Sequence, residues 1–193
     1  MNEGDSSHAD FRFEKQGNTN LGPGSLLLAL DTLDTDVHFE KTIVLVCRYN
    51  SEGAYGLVLN RFSTMPLSEV FDGLKEFEGK TTLKIHSGGP MASDELQIIQ
   101  ITQNPVSDSF EICKGVYLGG YWNGLEQILA SDESSIKLFL GCAGWGKGQL
   151  ESEVHSGAWK VFNINLLWVL KNSPEILEKS SDQFLAWMQS QPI

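Results

Sequence analysis

Gly141-Cys142-Ala143-Gly144-Trp145-Gly146-Lys147-Gly148-Gln149-Leu150-Glu151-Ser152-Glu153 is the stretch whose reading decides the fold. The run before it, Ile136 to Leu140, is short and apolar and reads as a buried strand. After it, Leu150 and Val154 are four apart and share one face of a short helix. Gly141, Gly144, Gly146 and Gly148 predict a tight turn between the two, because glycine tolerates positive φ and close backbone approach. Such a turn would expose backbone N–H groups and cradle an anion, with Lys147 as counter-charge. The spacing matches neither the dinucleotide fingerprint nor the phosphate loop, since Gly146-Lys147 is followed by Gly148. Glu151 and Glu153 also fall in the first helical turn, where they repel a phosphate. The plainer reading is a structural turn whose glycines let Trp145 cap the core.

Working outward, 193 residues suggest one domain able to bury a proper core. Residues 1 to about 21 are polar and read as a flexible tail, leaving 22–193 as a single domain. The net charge of −11 argues against direct DNA or RNA binding, and the 14 basic residues are scattered. No apolar run approaches a membrane span, and no basic, then apolar secretory start is visible. Cys47, Cys113 and Cys142 form no C-x-x-C and are odd in number, which fits reduced thiols and a cytoplasmic setting.

Lys41 to Tyr49 is the clearest strand, β-branched and almost continuously apolar, hence covered on both faces. Tyr55 to Asn60 forms a hairpin with it across Asn50-Ser51-Glu52-Gly53. Pro66 opens a helix with Leu67, Val70, Phe71 and Leu74 on one face. Further strands are expected at Thr81–His86, Glu95–Ile101, Phe110–Tyr117 (interrupted by Gly115) and Trp159–Ile164. Leu125, Ile128 and Leu129 mark a short helix, Leu166 to Leu170 is an apolar run, and Pro174–Gln191 reads as an amphipathic helical tail. This is not a β-α-β alternation. It predicts an α+β fold with a mainly antiparallel or mixed sheet.

Four segments together resemble the YqgE/AlgH family of bacterial proteins. They are Gly24-Ser25-Leu26-Leu27-Leu28-Ala29 with Asp36 and Phe39; Gly53-Ala54-Tyr55-Gly56-Leu57-Val58-Leu59-Asn60-Arg61; Gly88-Gly89-Pro90; and the opening stretch. The resemblance spans about residues 22–170. It implies a bent, bifurcated, mainly antiparallel sheet forming a pseudo-barrel flanked by short helices, in a bacterial cytosolic protein. It implies no particular reaction; a transcriptional-regulator label attaches to the family, and the acidic chain gives that label no support as direct DNA binding. The chain departs from the family pattern at Asp31, Phe62 and Lys147, where proline is frequent, and at Gln100, where a histidine is expected.

For chemistry, Cys142 with His155 would make a thiolate pair, but a buried inert thiol is the plainer reading. An enzyme would use a cleft at Arg61, Cys142 and Trp145. His86-Ser87-Gly88-Gly89 is not a nucleophile elbow and reads as a turn. Asp31 to Asp36 lacks the glycine and glutamate of a calcium loop, and the four histidines lack zinc spacing, so no metal or cofactor is expected. A binding module would draw on Asn60, Arg61, Gly88, Gly89, Trp145 and Gln149, all at strand ends or turns. Arg61 suits an anionic ligand there, or else pairs with Glu151 or Glu153 and ties the hairpin to the loop. The five tryptophans offer a third route, a protein-interaction patch, against core use as the default. The expected partner is a protein or a small molecule, with no membrane.

Overall fold

The computed structural model describes residues 20–29, 37–70, 83–120 and 135–190. Residues 1–19 of the expected tail, the acidic run Asp31 to Asp36, the helix around Leu125 and most of the Pro66 helix lie outside these residues.

Among the described residues nine strands form one sheet. They are β1 (Leu26–Ala29), β2 (Ile43–Asn50), β3 (Gly53–Val58), β4 (Ile85–Ser87), β5 (Met91–Ile101), β6 (Ser109–Cys113), β7 (Val116–Gly119), β8 (Ile136–Gly146) and β9 (Trp159–Phe162). Their order is β6-β7-β5-β8-β3-β2-β1-β9, with β4 paired to β8 outside that path. The β4/β8 pair is parallel and the others are antiparallel. Helices α1 (Leu67–Val70), α2 (Gln149–His155), α3 (Leu166–Asn172) and α4 (Ser181–Ser190) flank the sheet, with a 3-10 turn at Pro174–Glu178. The fold is α+β, a curled, bifurcated sheet making a half-barrel.

The curl is visible in the core. Leu26 and Ile43, from β1 and β2, share one apolar cluster with Ile112, Val116 and Leu118, from strands at the far end of the sheet order. The Arg48 guanidinium lies 4.1 Å above the Phe110 ring, bringing β2 against β6. Val169, Leu170, Leu177 and Phe184 from the C-terminal helices fill the inside of the curl. Outside it, Leu27, Val44, Val46, Val58 and Ala143 pack with Leu150 of α2 and with two indoles. Apolar side chains on both faces explain why Ile43 to Cys47 is apolar without alternation.

Strand β8 carries the bifurcation. Along one edge it pairs with β5. Along the other it pairs first with β4, at Leu138–Leu140, and then with β3, at Ala143–Gly146. The expectation that the strand ends at Leu140 and a loop begins at Gly141 is therefore corrected: the strand runs on to Gly146. Gly141 takes φ +74°, which bends β8 without ending it. The turn itself is only Lys147-Gly148. One further boundary differs. Phe110–Tyr117 is not one interrupted strand but the hairpin β6/β7, with Gly115 at φ +80° in its turn. Leu166 to Leu170 is helical, started by Asn165, whose side-chain oxygen accepts from the Trp168 N–H at 3.0 Å.

Candidate functional site

Gly88 and Gly89 sit at the fork of the sheet. The Gly88 N–H donates to the Leu140 carbonyl, and its own carbonyl accepts from Val58 N–H, so it bridges the end of β3 to β8. A Cβ on Gly88 would stand 2.3 Å from the Gly141 oxygen, and one on Gly89 2.2 Å from the Cys142 carbonyl carbon. Both glycines serve close backbone packing.

Trp145 and Gln149 belong to a clasp centred on Glu153. Its Oε2 accepts from the Trp145 indole at 2.8 Å and from the Trp159 indole at 2.7 Å. Its Oε1 accepts from Gln149 Nε2 at 2.9 Å, and Gln149 Oε1 accepts from the Gly146 N–H at 3.0 Å. The two indoles meet edge-on with centroids 6.0 Å apart, and Phe39 packs on both. Strand β8, helix α2 and strand β9 are thus joined through one carboxylate.

Asn60 and Arg61 hold backbone. Asn60 Oδ1 accepts from the Ile43 N–H at 2.9 Å, while Nδ2 donates to the carbonyls of Lys41 and Lys179. Arg61 donates to the carbonyls of Val37, His38 and Glu40, gathering the 37–40 turn. The expected pairing of Arg61 with Glu151 or Glu153 is not formed. Glu151 accepts from the Tyr49 hydroxyl at 2.7 Å, which holds its carboxyl below the usual range, and Glu153 serves the indoles. The six residues of the expected ligand site therefore fall into three structural clusters: a fork, a clasp and a turn anchor.

The thiols are held neutral. Burial raises the Cys47 pKa far above its ordinary value and that of Cys113 to about 11. Burial also raises Cys142, against a weaker opposing contact from Tyr55. Gln100 is fully buried with both ends of its amide engaged, donating to Gly119 O at 2.6 Å and accepting from Val106 N–H at 3.0 Å.

Two features lay outside the sequence reading. His86 is buried between the Phe62 and Phe139 rings, at 4.8 and 5.0 Å. Its Nδ1 lies 3.3 Å from the Leu138 carbonyl, and Nε2 lies 4.0 Å from Glu178, which is 4.0 Å from Lys137. Burial first, and Lys137 and Lys84 after it, lower its pKa to about 4. Above it opens a groove of about 320 Å³ lined by Phe62, Ser63, Met65, Leu83 and Lys84 among others. The walls are tied together: Ser87 N–H donates to Arg61 O, Ser63 N–H donates to Ile85 O, and Lys84 Nζ stands 4.8 Å over the Phe62 ring. An exposed aromatic after Asn60-Arg61 was the available signal for this groove; only proximity to residues 83–85 shows that it is concave.

These features describe a half-barrel α+β protein whose forked sheet is packed at paired glycines and closed by an indole–carboxylate clasp. The family model described as AlgH-like matches residues 26–185, and the chain belongs to that family. The UPF0301 protein of Chlorobium limicola is 34% identical over 142 residues, covering 72% of this chain and 73% of its own. The UPF0301 protein CF0373 of Chlamydia felis is 35% identical over 160 residues, covering 81% and 82%. The solution structure of the AlgH protein from Pseudomonas aeruginosa is 25% identical with a TM-score of 0.69, covering 93% of this chain and 98% of its own. The crystal structure of DIP2367 from Corynebacterium diphtheriae, 18% identical at the same TM-score, shares the fold.

Proposed function

We propose that the chain is a non-catalytic binding module of the bacterial cytoplasm, acting by holding a protein segment or small ligand. The observation that carries this reading is the groove between 62–66 and 83–85. Among the described residues, the exposed large apolar side chains are Val37, Phe62, Met65 and Met91, and two of these line that one groove. Exposed apolar side chains gathered in a concavity favour a partner. Lys84 adds a positive charge at its wall in a chain of net charge −11, which favours an acidic partner over nucleic acid. Asn60 and Arg61, expected as ligand contacts, support the groove by positioning: they brace the segment that presents Phe62. An enzyme built on Arg61, Cys142 and Trp145 has less behind it, because two of the three are bonded internally and the third is a neutral thiol.

The test is a thermal-shift screen against metabolites, nucleotides and acidic peptides, read together with the methyl resonance of Met65. A ligand of the groove moves both in the wild type and neither in a Phe62→Ser, Lys84→Gln double variant. Hits that persist unchanged in that variant place binding elsewhere; if those persisting hits are lost in Arg61→Ala, the site returns to the Asn60–Arg61 turn.

A further inference from the structure

Tyr55 has a hydroxyl that the fold leaves without an oxygen or nitrogen partner: its oxygen is enclosed, and the polar group it meets is the Cys142 thiol, a weak hydrogen-bonding group. Buried polar atoms in native proteins are nearly always satisfied, and exceptions point to an ordered water, an ion or a functional contact. The neighbours select among these. Arg48 stands directly opposite Tyr55 on β2, and Gly144 directly opposite it on β8. Opposed residues share a face, so all three look into the curl. Arg48 is exposed, lies on the Phe110 ring and has no carboxylate partner among the described residues. Cys142, two residues before Gly144 on the same face, puts its thiol beside the Tyr55 hydroxyl. Burial keeps that phenol protonated, hence a donor, with Arg48 acting weakly in the other direction.

The cover over this place is light. Gly144 contributes no side chain, and the sulfur of Met91 lies 2.7 Å from where its Cβ would be. Met91 is 53% exposed, and a methionine is flexible enough to swing away.

We propose that Arg48, Tyr55 and the Cys142 thiol form a binding site for a small oxyanion, a carboxylate or phosphate group, admitted when Met91 moves aside. One oxygen accepts from the Tyr55 hydroxyl while the guanidinium of Arg48 takes the charge, a geometry its planar fork suits. The opposing charge is Glu95, which acts on Cys142 through space. The site is separate from the groove and does not rest on it.

The experiment is a titration of isotope-labelled protein with orthophosphate and, separately, with acetate, ionic strength being held constant with chloride. The amide resonances of Tyr55, Cys142 and Gly144 are followed, and the two arms tell phosphate from carboxylate. Saturable shifts are expected, weakened about tenfold in Arg48→Gln, the effect of one charge-assisted hydrogen bond. Tyr55→Phe, which keeps the ring, weakens binding about fivefold, as loss of one neutral donor does. Glu95→Gln tightens it. Absence of saturable shifts with either anion leaves the hydroxyl to a water and overturns the proposal, as does affinity unchanged in both Arg48→Gln and Tyr55→Phe.

Discussion

Replacing Glu153 with alanine is the sharpest probe of how this fold is held. The carboxylate is the acceptor for two indoles that are 6% and 5% exposed, and for the Gln149 amide. A buried donor left unsatisfied costs about 1–3 kcal/mol. Glu153 is itself half-buried, so water can follow into part of the space it leaves. That selects the lower half of the range for each indole and gives about 2–4 kcal/mol in all. This is a large share of a typical stability of about 5–15 kcal/mol. Gln149→Ala removes exposed contacts and costs about 1 kcal/mol. Glu153→Gln falls between the two, since it keeps an oxygen for the indoles but turns an amide donor toward Gln149. Urea unfolding followed by tryptophan fluorescence and by far-ultraviolet circular dichroism measures all three, with the midpoint shifting at constant slope. If Glu153→Ala costs no more than Gln149→Ala, the carboxylate does not hold the indoles and the clasp is wrong.

Three further outcomes follow from particular residues. His86 gains a proton below about pH 6.5 when unfolded, whereas in the fold it resists until about pH 4. Stability is therefore full above pH 6.5, falls by about 3 kcal/mol between 6.5 and 4, and is flat in this respect below that. His86→Phe, placed between two phenyl rings, flattens that slope in the difference between the two stability–pH curves. Gly88→Ala drives a Cβ into the Gly141 carbonyl and lowers stability by about 3 kcal/mol or more, or prevents folding, because backbone cannot yield as a side chain can. Gly148→Ala, with φ +73° and open space around it, carries only the left-handed penalty of about 1–2 kcal/mol in the same urea measurement.

The strands were legible where composition alone dictates burial. Ile43 to Cys47 had to be covered on both sides, and it is. The fork was less legible, because glycine spacing is the same for a loop and for a strand that must press against another backbone. Only the position of Gly88 and Gly89 against Gly141 and Cys142 decides between them. Arg61 shows a second limit. Its donors end on the main-chain carbonyls of the 37–40 turn, and carbonyls carry no residue identity that a sequence could display. A pairing with Glu151 or Glu153 was the natural expectation, yet those carboxylates were already committed to Tyr49 and the indoles.

This bears on where function sits. The stretches that carry the family resemblance are the ones that hold the chain together: Gly88-Gly89 and Gly141 hinge the fork, Trp145 and Gln149 close the clasp, Asn60 and Arg61 brace the turn. Residues consumed in internal bonds have little left for a ligand. The groups with capacity to spare are Phe62 just after Asn60-Arg61, Lys84 two residues before His86, and, within the hairpin motif itself, Tyr55, whose hydroxyl meets only the Cys142 thiol. A motif strong enough to identify the family is thus, here, chiefly a record of how the half-barrel is tied, and the groove proposed above draws on residues next to it.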